Sequence, residues 1–250
     1  MVTLQEIKPR DQSWLIRVLL AIIGAAERLN ARYAKFGNPS VYDNAIFPWA
    51  ADVESEWRAI REELDALLVR KEDLPSFQDI AADVASISRD RGWKTFLLAG
   101  YGIKSKRNIA LCPETWRVLQ KIPGLKTAMF SIFEPGKHLP PHRGFYNGIL
   151  RFHLGLIVPE PRDRIAIRLG SRVCQGEEGR ALIFDDSHEH EAWNRTDKTR
   201  VILFVDFVRP LSFPANLLNW IVLNVALFTP YIQEGYENHQ RWERSFHKGD

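Results

Sequence analysis

The stretch AMFSIFEPGKHLPPHRGFYNGILRFHLGLIVP, residues 128–159, decides the fold. Its two apolar runs, AMFSIFEP and GILRFHLGLIVP, alternate and carry β-branched residues, and the PGKHLPP between them is turn chemistry. The pattern predicts strands joined by turns. It extends in both directions, because WKTFLLAGYG, RIAIRLG, ALIFDD and RVILFVDFV follow the same plan from residue 92 onward. CPETWRVLQKI (112–122) interrupts them as one helix, with Pro113 near its first turn. No helix separates the later runs, so the expectation is an antiparallel sandwich or barrel and not a parallel α/β sheet.

Residues 1–70 predict helices. After the run Trp14–Ala26 and its continuation Ala25–Tyr33, Val53, Trp57, Ile60, Leu64 and Leu67 recur at three- and four-residue spacing among charges, the stripe of a helix facing a core. GNPSVYDNAIFPWA (37–50) reads as an irregular connection between them. The expected organisation is a helical segment over residues 1–90 packed on the core, a β core over 91–210 and an apolar helical extension over 211–250. The helical layer is expected to cover one sheet.

Bulk composition narrows the function classes. A chain of 250 residues, 45% apolar and 26% charged, has the make-up of one sizeable domain with a proper core. The net charge of +3 is spread among acids without basic runs, which gives no nucleic-acid footprint. Cys112 and Cys174 are too few for a disulfide framework and lack zinc-ribbon spacing, which suits a reducing cytoplasm. Acids and a proline precede the first apolar run and no small-residue cleavage site follows it, against a secretory signal.

Neither apolar end is long enough to span a bilayer. Trp14–Ala26 is 13 residues and contains Arg17. Leu211–Gln233 carries no charge, but Pro214 and Pro230 leave 15 residues between them, roughly 22 Å of helix against a ~30 Å hydrocarbon core. Both ends are expected to pack on the domain, with peripheral contact to a membrane surface through 14–26 and 211–232 as the alternative.

Four of the seven histidines, His142, His153, His188 and His190, lie in the strand-rich half at or beside predicted strand ends. His142 follows a turn and precedes Gly144, and His190 follows the buried-looking ALIFDD, so both emerge where two parts of a sandwich meet. Two neutral imidazoles suit Fe(II), Cu or Zn. Arg200 heads the apolar strand Val201–Val208, where an unpaired guanidinium is costly and calls for a carboxylate. Arg151 and His153, two apart, share a strand face. Such a set suits a metal ion together with a dicarboxylate, and 2-oxoglutarate has that shape.

In FSIFEPGKHLPPHRG, LRFHLGLIVP, EEGRALIFDDSHEHEAWN and the strand after Arg200, the chain from about Trp93 to Pro210 resembles the aspartyl/asparaginyl β-hydroxylases, Fe(II)- and 2-oxoglutarate-dependent dioxygenases on a double-stranded β-helix (a jelly roll, cupin-like). The resemblance implies His142 and His190 as iron ligands, Arg151 and His153 at the oxalyl end of 2-oxoglutarate, and Ser131 and Arg200 at its distal carboxylate. Gly144, His188 and Trp193 are expected close behind these ligands. The resemblance further implies O₂ as the third reactant, with oxidative decarboxylation of 2-oxoglutarate to succinate and CO₂ coupled to hydroxylation of an unactivated C–H bond.

A second likeness, in ALCPETWRVLQKIPGLKTAMFS and NRTDKTRVILFVDFVRPL and in the apolar flanks, is to the bacterial branch that 2-hydroxylates acyl chains of lipid A or ornithine lipids. It implies a membrane-lipid acyl chain as substrate and a cytoplasmic location at the inner face of the membrane. β-Hydroxylation of an aspartyl or asparaginyl residue, or of another amino-acid unit, is the alternative, and a halogenase and a non-catalytic cupin-like metal module are lesser ones. That branch typically carries aspartate where Gly144 stands, so the metal site resembles one branch and its surroundings the other.

Overall fold

The structure is a computed structural model and describes residues 14–100 and 102–248. The helical expectation for residues 1–13, the reading of that stretch against a secretory signal, and Tyr101 of the WKTFLLAGYG run lie outside the described residues. Helix α1 covers Trp14–Tyr33; β1 (Val41–Tyr42), α2 (Pro48–Ser55), α3 (Trp57–Leu68) and α4 (Phe77–Ile80) follow. Next come β2 (Trp93–Gly100), β3 (Ile103–Lys104), α5 (Lys106–Leu111) and α6 (Pro113–Leu119). The strand-rich part continues with β4 (Leu125–Phe133), β5 (His138–His142), β6 (Ile149–Ile157), β7 (Ile165–Leu169), β8 (Arg172–Gln175), β9 (Ala181–Phe184), β10 (His190–Asn194) and β11 (Arg200–Val208). Helices α7 (Ala215–Ala226) and α8 (Pro230–Phe246) close the chain.

Two antiparallel sheets face each other. The larger has the order β1-β9-β6-β11-β4-β2-β3 and the smaller β5-β10-β7-β8. This is the expected jelly-roll class, mixed with eight helices among the described residues. The larger sheet is buried on both faces, and strand alternation sorts its residues. On β11, Val201, Leu203, Val205 and Phe207 point into a core roofed by α2, α3, α6 and α8. Arg200, Ile202 and Phe204 point the other way, into the cleft between the sheets.

The roof forms for the reason its sequence gives. Ile60, Leu64 and Leu67 are the buried stripe of α3, each worth about 1.5–3 kcal/mol when removed from water. Trp242 and Phe246 of α8 pack against Phe96 of β2, so the far end of the C-terminal segment is amphipathic and seated on the core. The 37–50 connection holds one short strand and the start of α2. Between α1, β1, the larger sheet and the β9–β10 loop lies a fully buried ion pair: Arg209 Nη1 donates to Asp185 Oδ2 at 2.5 Å, and Nη2 donates to the Tyr42 hydroxyl and the Asn38 side-chain carbonyl at 2.8 Å each.

Candidate functional site

The cleft between the sheets is lined by Ser131, His142, Arg151, His153, His190 and Arg200, with aromatic walls from Trp93, Phe133, Phe184 and Phe204. Every residue that the sequence assigned to metal or cosubstrate therefore faces one cavity. Cross-strand register brings the two histidines together, because His190 of β10 lies opposite His142 of β5. Their ring centroids are 4.2 Å apart.

Backbone carbonyls fix both imidazoles. His142 Nδ1 lies 2.8 Å from Pro140 O, and His190 Nδ1 lies 2.9 Å from His188 O. A carbonyl only accepts, so Nδ1 carries the proton in each ring and Nε2 keeps its lone pair. Burial lowers both pKa values, His190 to about 3 with the neighbouring His142 adding to the effect. The rings are thus neutral donors at neutral pH. His188 contributes a carbonyl here, and its own ring does not line the cavity.

A second pair of groups asks for an anion. Arg200 is only 8% exposed, forms no ion pair among the described residues and rests against the Phe133 ring at 5.1 Å. Burial alone pulls its pKa down to about 10. The carboxylate that a buried guanidinium calls for is not supplied by the described residues. His153, between Phe184 and Phe204, has both ring nitrogens buried without a hydrogen-bond partner among the described residues, and burial followed by the Arg200 charge holds it well below its usual pKa. Each unmet group of this kind costs about 1–3 kcal/mol. Ser131 Oγ accepts from the Trp93 indole at 2.9 Å, which leaves its own proton free to donate.

Arg151 is differently placed. Its guanidinium bridges Asp206 at 2.8 Å and Asp186 at 3.0 Å and lies over the Phe204 ring. Burial pushes the Asp186 carboxyl up to about 6 against the pull of Arg151, and its Oδ1 has no hydrogen-bond partner among the described residues.

This carboxylate explains Gly144. The Gly144 amide donates to Asp186 O at 2.8 Å, and a Cβ at 144 would overlap the Asp186 carboxylate group. Where a side chain would project from position 144, an acid from the next loop already stands. Sequence reasoning singled out neither Asp186 nor Asp206. The usable signals were an acid pair ending a fully apolar run and a lone acid at 206 on the same strand face as Phe204 and Arg200. Trp193 does not join the cavity: it alternates with Ala192 and Asn194 on β10, turns to the outer face and stacks with Arg195.

Comparison with known proteins follows the same lines. The family model for aspartyl/asparaginyl β-hydroxylase matches residues 54–210. The ornithine lipid ester-linked acyl 2-hydroxylase of Rhizobium tropici is 61% identical over 96% of this chain and 86% of its own length. Human aspartyl/asparaginyl β-hydroxylase is 34% identical over 65% of this chain, a match to 21% of that longer protein. Among solved structures, a Pseudomonas putida prolyl-4-hydroxylase is similar over 64% of this chain and 99% of its own, at 15% identity and a TM-score of 0.41.

Proposed function

Because the chain belongs to the aspartyl/asparaginyl β-hydroxylase family, we propose that it is an Fe(II)- and 2-oxoglutarate-dependent dioxygenase that hydroxylates an acyl chain of a membrane lipid of the ornithine-lipid or lipid A type. The observation that carries the cosubstrate is Arg200, a buried cation with no acid partner among the described residues, beside the unmet nitrogens of His153. A dianionic keto acid supplies what these groups lack. The donor set fits the metal as well, since two neutral Nε2 atoms held by backbone carbonyls are a borderline ligand pair suited to Fe(II).

In this reading His142 and His190 hold the iron, Ser131 and Arg200 bind the distal carboxylate, and Arg151 with His153 faces the oxalyl end. Iron, 2-oxoglutarate and O₂ together supply the oxidising power that breaks an unactivated C–H bond. The chain's own work is to position and to keep water out. Charge-assisted hydrogen bonds from Arg200 orient the cosubstrate, and the four aromatic walls dry the cavity. Asp186 fills the space in front of Gly144 and holds an ion pair with Arg151 there, so a carboxylate stands where a side chain at 144 would project.

The lipid substrate is supported by the Rhizobium tropici relative, whose likeness runs through nearly the whole chain, while likeness to the human enzyme covers 65% of it. The same reading puts the protein at the cytoplasmic face of a membrane. Purified protein supplied with Fe(II), 2-oxoglutarate and either ornithine lipid or lipid A tests it. We expect succinate release stimulated by one of these lipids, with tandem mass spectrometry placing the new oxygen on an acyl fragment. Oxygen on an amino-acid unit would favour the alternative, and lipid-independent turnover would overturn the substrate.

A further inference from the structure

Helices α1 and α7 pack on each other, yet together they turn an apolar surface outward. On α1 the four-residue stripe that is buried at Ala26 and Asn30 continues outward through Ile22, Val18 and Trp14, the last 70% exposed. The helix overhangs the domain. On α7 the inward stripe is Ala215 and Asn219, small or polar, while Leu217, Trp220, Ile221 and Val225 face out. Trp220 is 62% exposed and Phe228, just past the helix, 84%. A water-facing helix normally has the reverse arrangement.

The exposed charges of α1 are all positive. Residues 211–233 carry no charge at all. Arg17, Arg28, Arg32 and Lys35, on and just after α1, are exposed and form no salt bridge among the described residues. The single acid of α1, Glu27, is half-buried, and burial raises its pKa. Aromatic and aliphatic side chains beside unpaired cations complement an anionic phospholipid bilayer.

The helix pair is also fastened to the candidate site. Asn30 Nδ2 donates to the Tyr146 hydroxyl at 3.0 Å and to Asn147 Oδ1 at 3.1 Å, Asn147 Nδ2 donates to Glu27 O at 3.0 Å, and Asn219 Nδ2 donates to Gly148 O at 2.9 Å. Position 148 has room for glycine only, because a Cβ there would overlap the Asn219 amide and the Tyr146 ring. Both helices thus grip the loop 143–148, which leads from His142 to β6. What α1 and α7 rest on, the His142 end of the barrel faces too.

We infer that the outer face of α1 and α7 docks on an anionic bilayer and presents the His142 end of the barrel to it. The choice of a bilayer as occupant rests in part on the lipid-acyl reading above.

Flotation of the full chain with vesicles of phosphatidylglycerol and phosphatidylcholine tests it, without iron, cosubstrate or substrate lipid, so failed docking and failed catalysis are told apart. Binding is expected to anionic vesicles, weakening at high salt, and to fall at least tenfold in the double variant Trp220→Glu, Val225→Glu. A second variant, Arg28→Glu with Arg32→Glu, keeps the apolar face and is expected to weaken binding to the anionic vesicles several-fold. Binding unchanged in both variants overturns the inference. So does the absence of vesicle binding together with a stable dimer that the tryptophan variant dissociates, since a second copy would then cover the face.

Discussion

Replacing Arg200 by methionine should strengthen the empty protein while emptying it of cosubstrate. The guanidinium is buried, and its pKa falls to about 10 from burial alone. Against an ordinary arginine value of about 12.5, at about 1.4 kcal/mol per decade, holding that charge in place costs about 3 kcal/mol. Arg200 is charged in the folded and unfolded chains at every pH below about 10, so the cost is present throughout that range and is relieved only as pH rises through the lowered folded value.

Methionine keeps the aliphatic stem and gives up the contact with the Phe133 ring, for a net gain of about 1–3 kcal/mol and a Tm rise of about 3–10 °C. The same change removes the partner of a buried anion, which costs about 2–5 kcal/mol, at least about thirtyfold in 2-oxoglutarate affinity. Thermal unfolding with and without 2-oxoglutarate, and titration calorimetry, read both effects. A less stable empty variant, or unchanged 2-oxoglutarate affinity, would refute the reasoning.

Other perturbations test other parts. Gly144→Ala drives a methyl group into the Asp186 carboxylate and away from Arg151; turnover should fall at least tenfold and stability by about 1–3 kcal/mol, and a fully active variant would show that Asp186 has no part in the site. Arg209→Met strips Asp185 of its buried partner and should cost about 3–5 kcal/mol in urea unfolding. The ring of His239 is fully buried without a hydrogen bond among the described residues, and burial lowers its pKa against the pull of Glu243, whose carboxylate lies 3.8 Å from Nε2. An imidazole lowered in this way leaves stability untouched well above pH 6.5 and removes it as pH falls below that value, because the unfolded chain then binds the proton first. His239→Leu should therefore flatten the loss of Tm between pH 7.5 and 5.5; an unchanged slope would assign that loss to other histidines.

The sequence revealed the site more fully than the strands that carry it. Long buried strands such as β4, β6 and β11 announced themselves by alternation and β-branching. β5 and β10, which bring His142 opposite His190, did not. β5 reads HLPPH, and two prolines are tolerated only because it is the edge of the smaller sheet. β10 reads HEAWN, too short and polar to signal a strand. Arg200 was legible as a cation in need of an acid, since charge at the head of an apolar strand is expensive whatever the topology. That the described residues leave it without one could not be read from spacing. Asp186 was hidden for a related reason: two aspartates after an apolar run read as a turn, and only the closure of the β9–β10 loop over Gly144 brings the second against Gly144 and Arg151. Which way Trp193 faces was not legible either, because HEAWN shows no strand alternation.

The most direct test of the central claim is turnover of the purified protein with Fe(II), 2-oxoglutarate and ornithine lipid under ¹⁸O₂, with both products analysed by mass spectrometry. A dioxygenase of this kind splits O₂ between its two products, so succinate and the hydroxylated acyl chain should each gain one labelled oxygen atom, in equal amounts. Hydroxylated lipid formed without 2-oxoglutarate, or label absent from the succinate, would contradict the account.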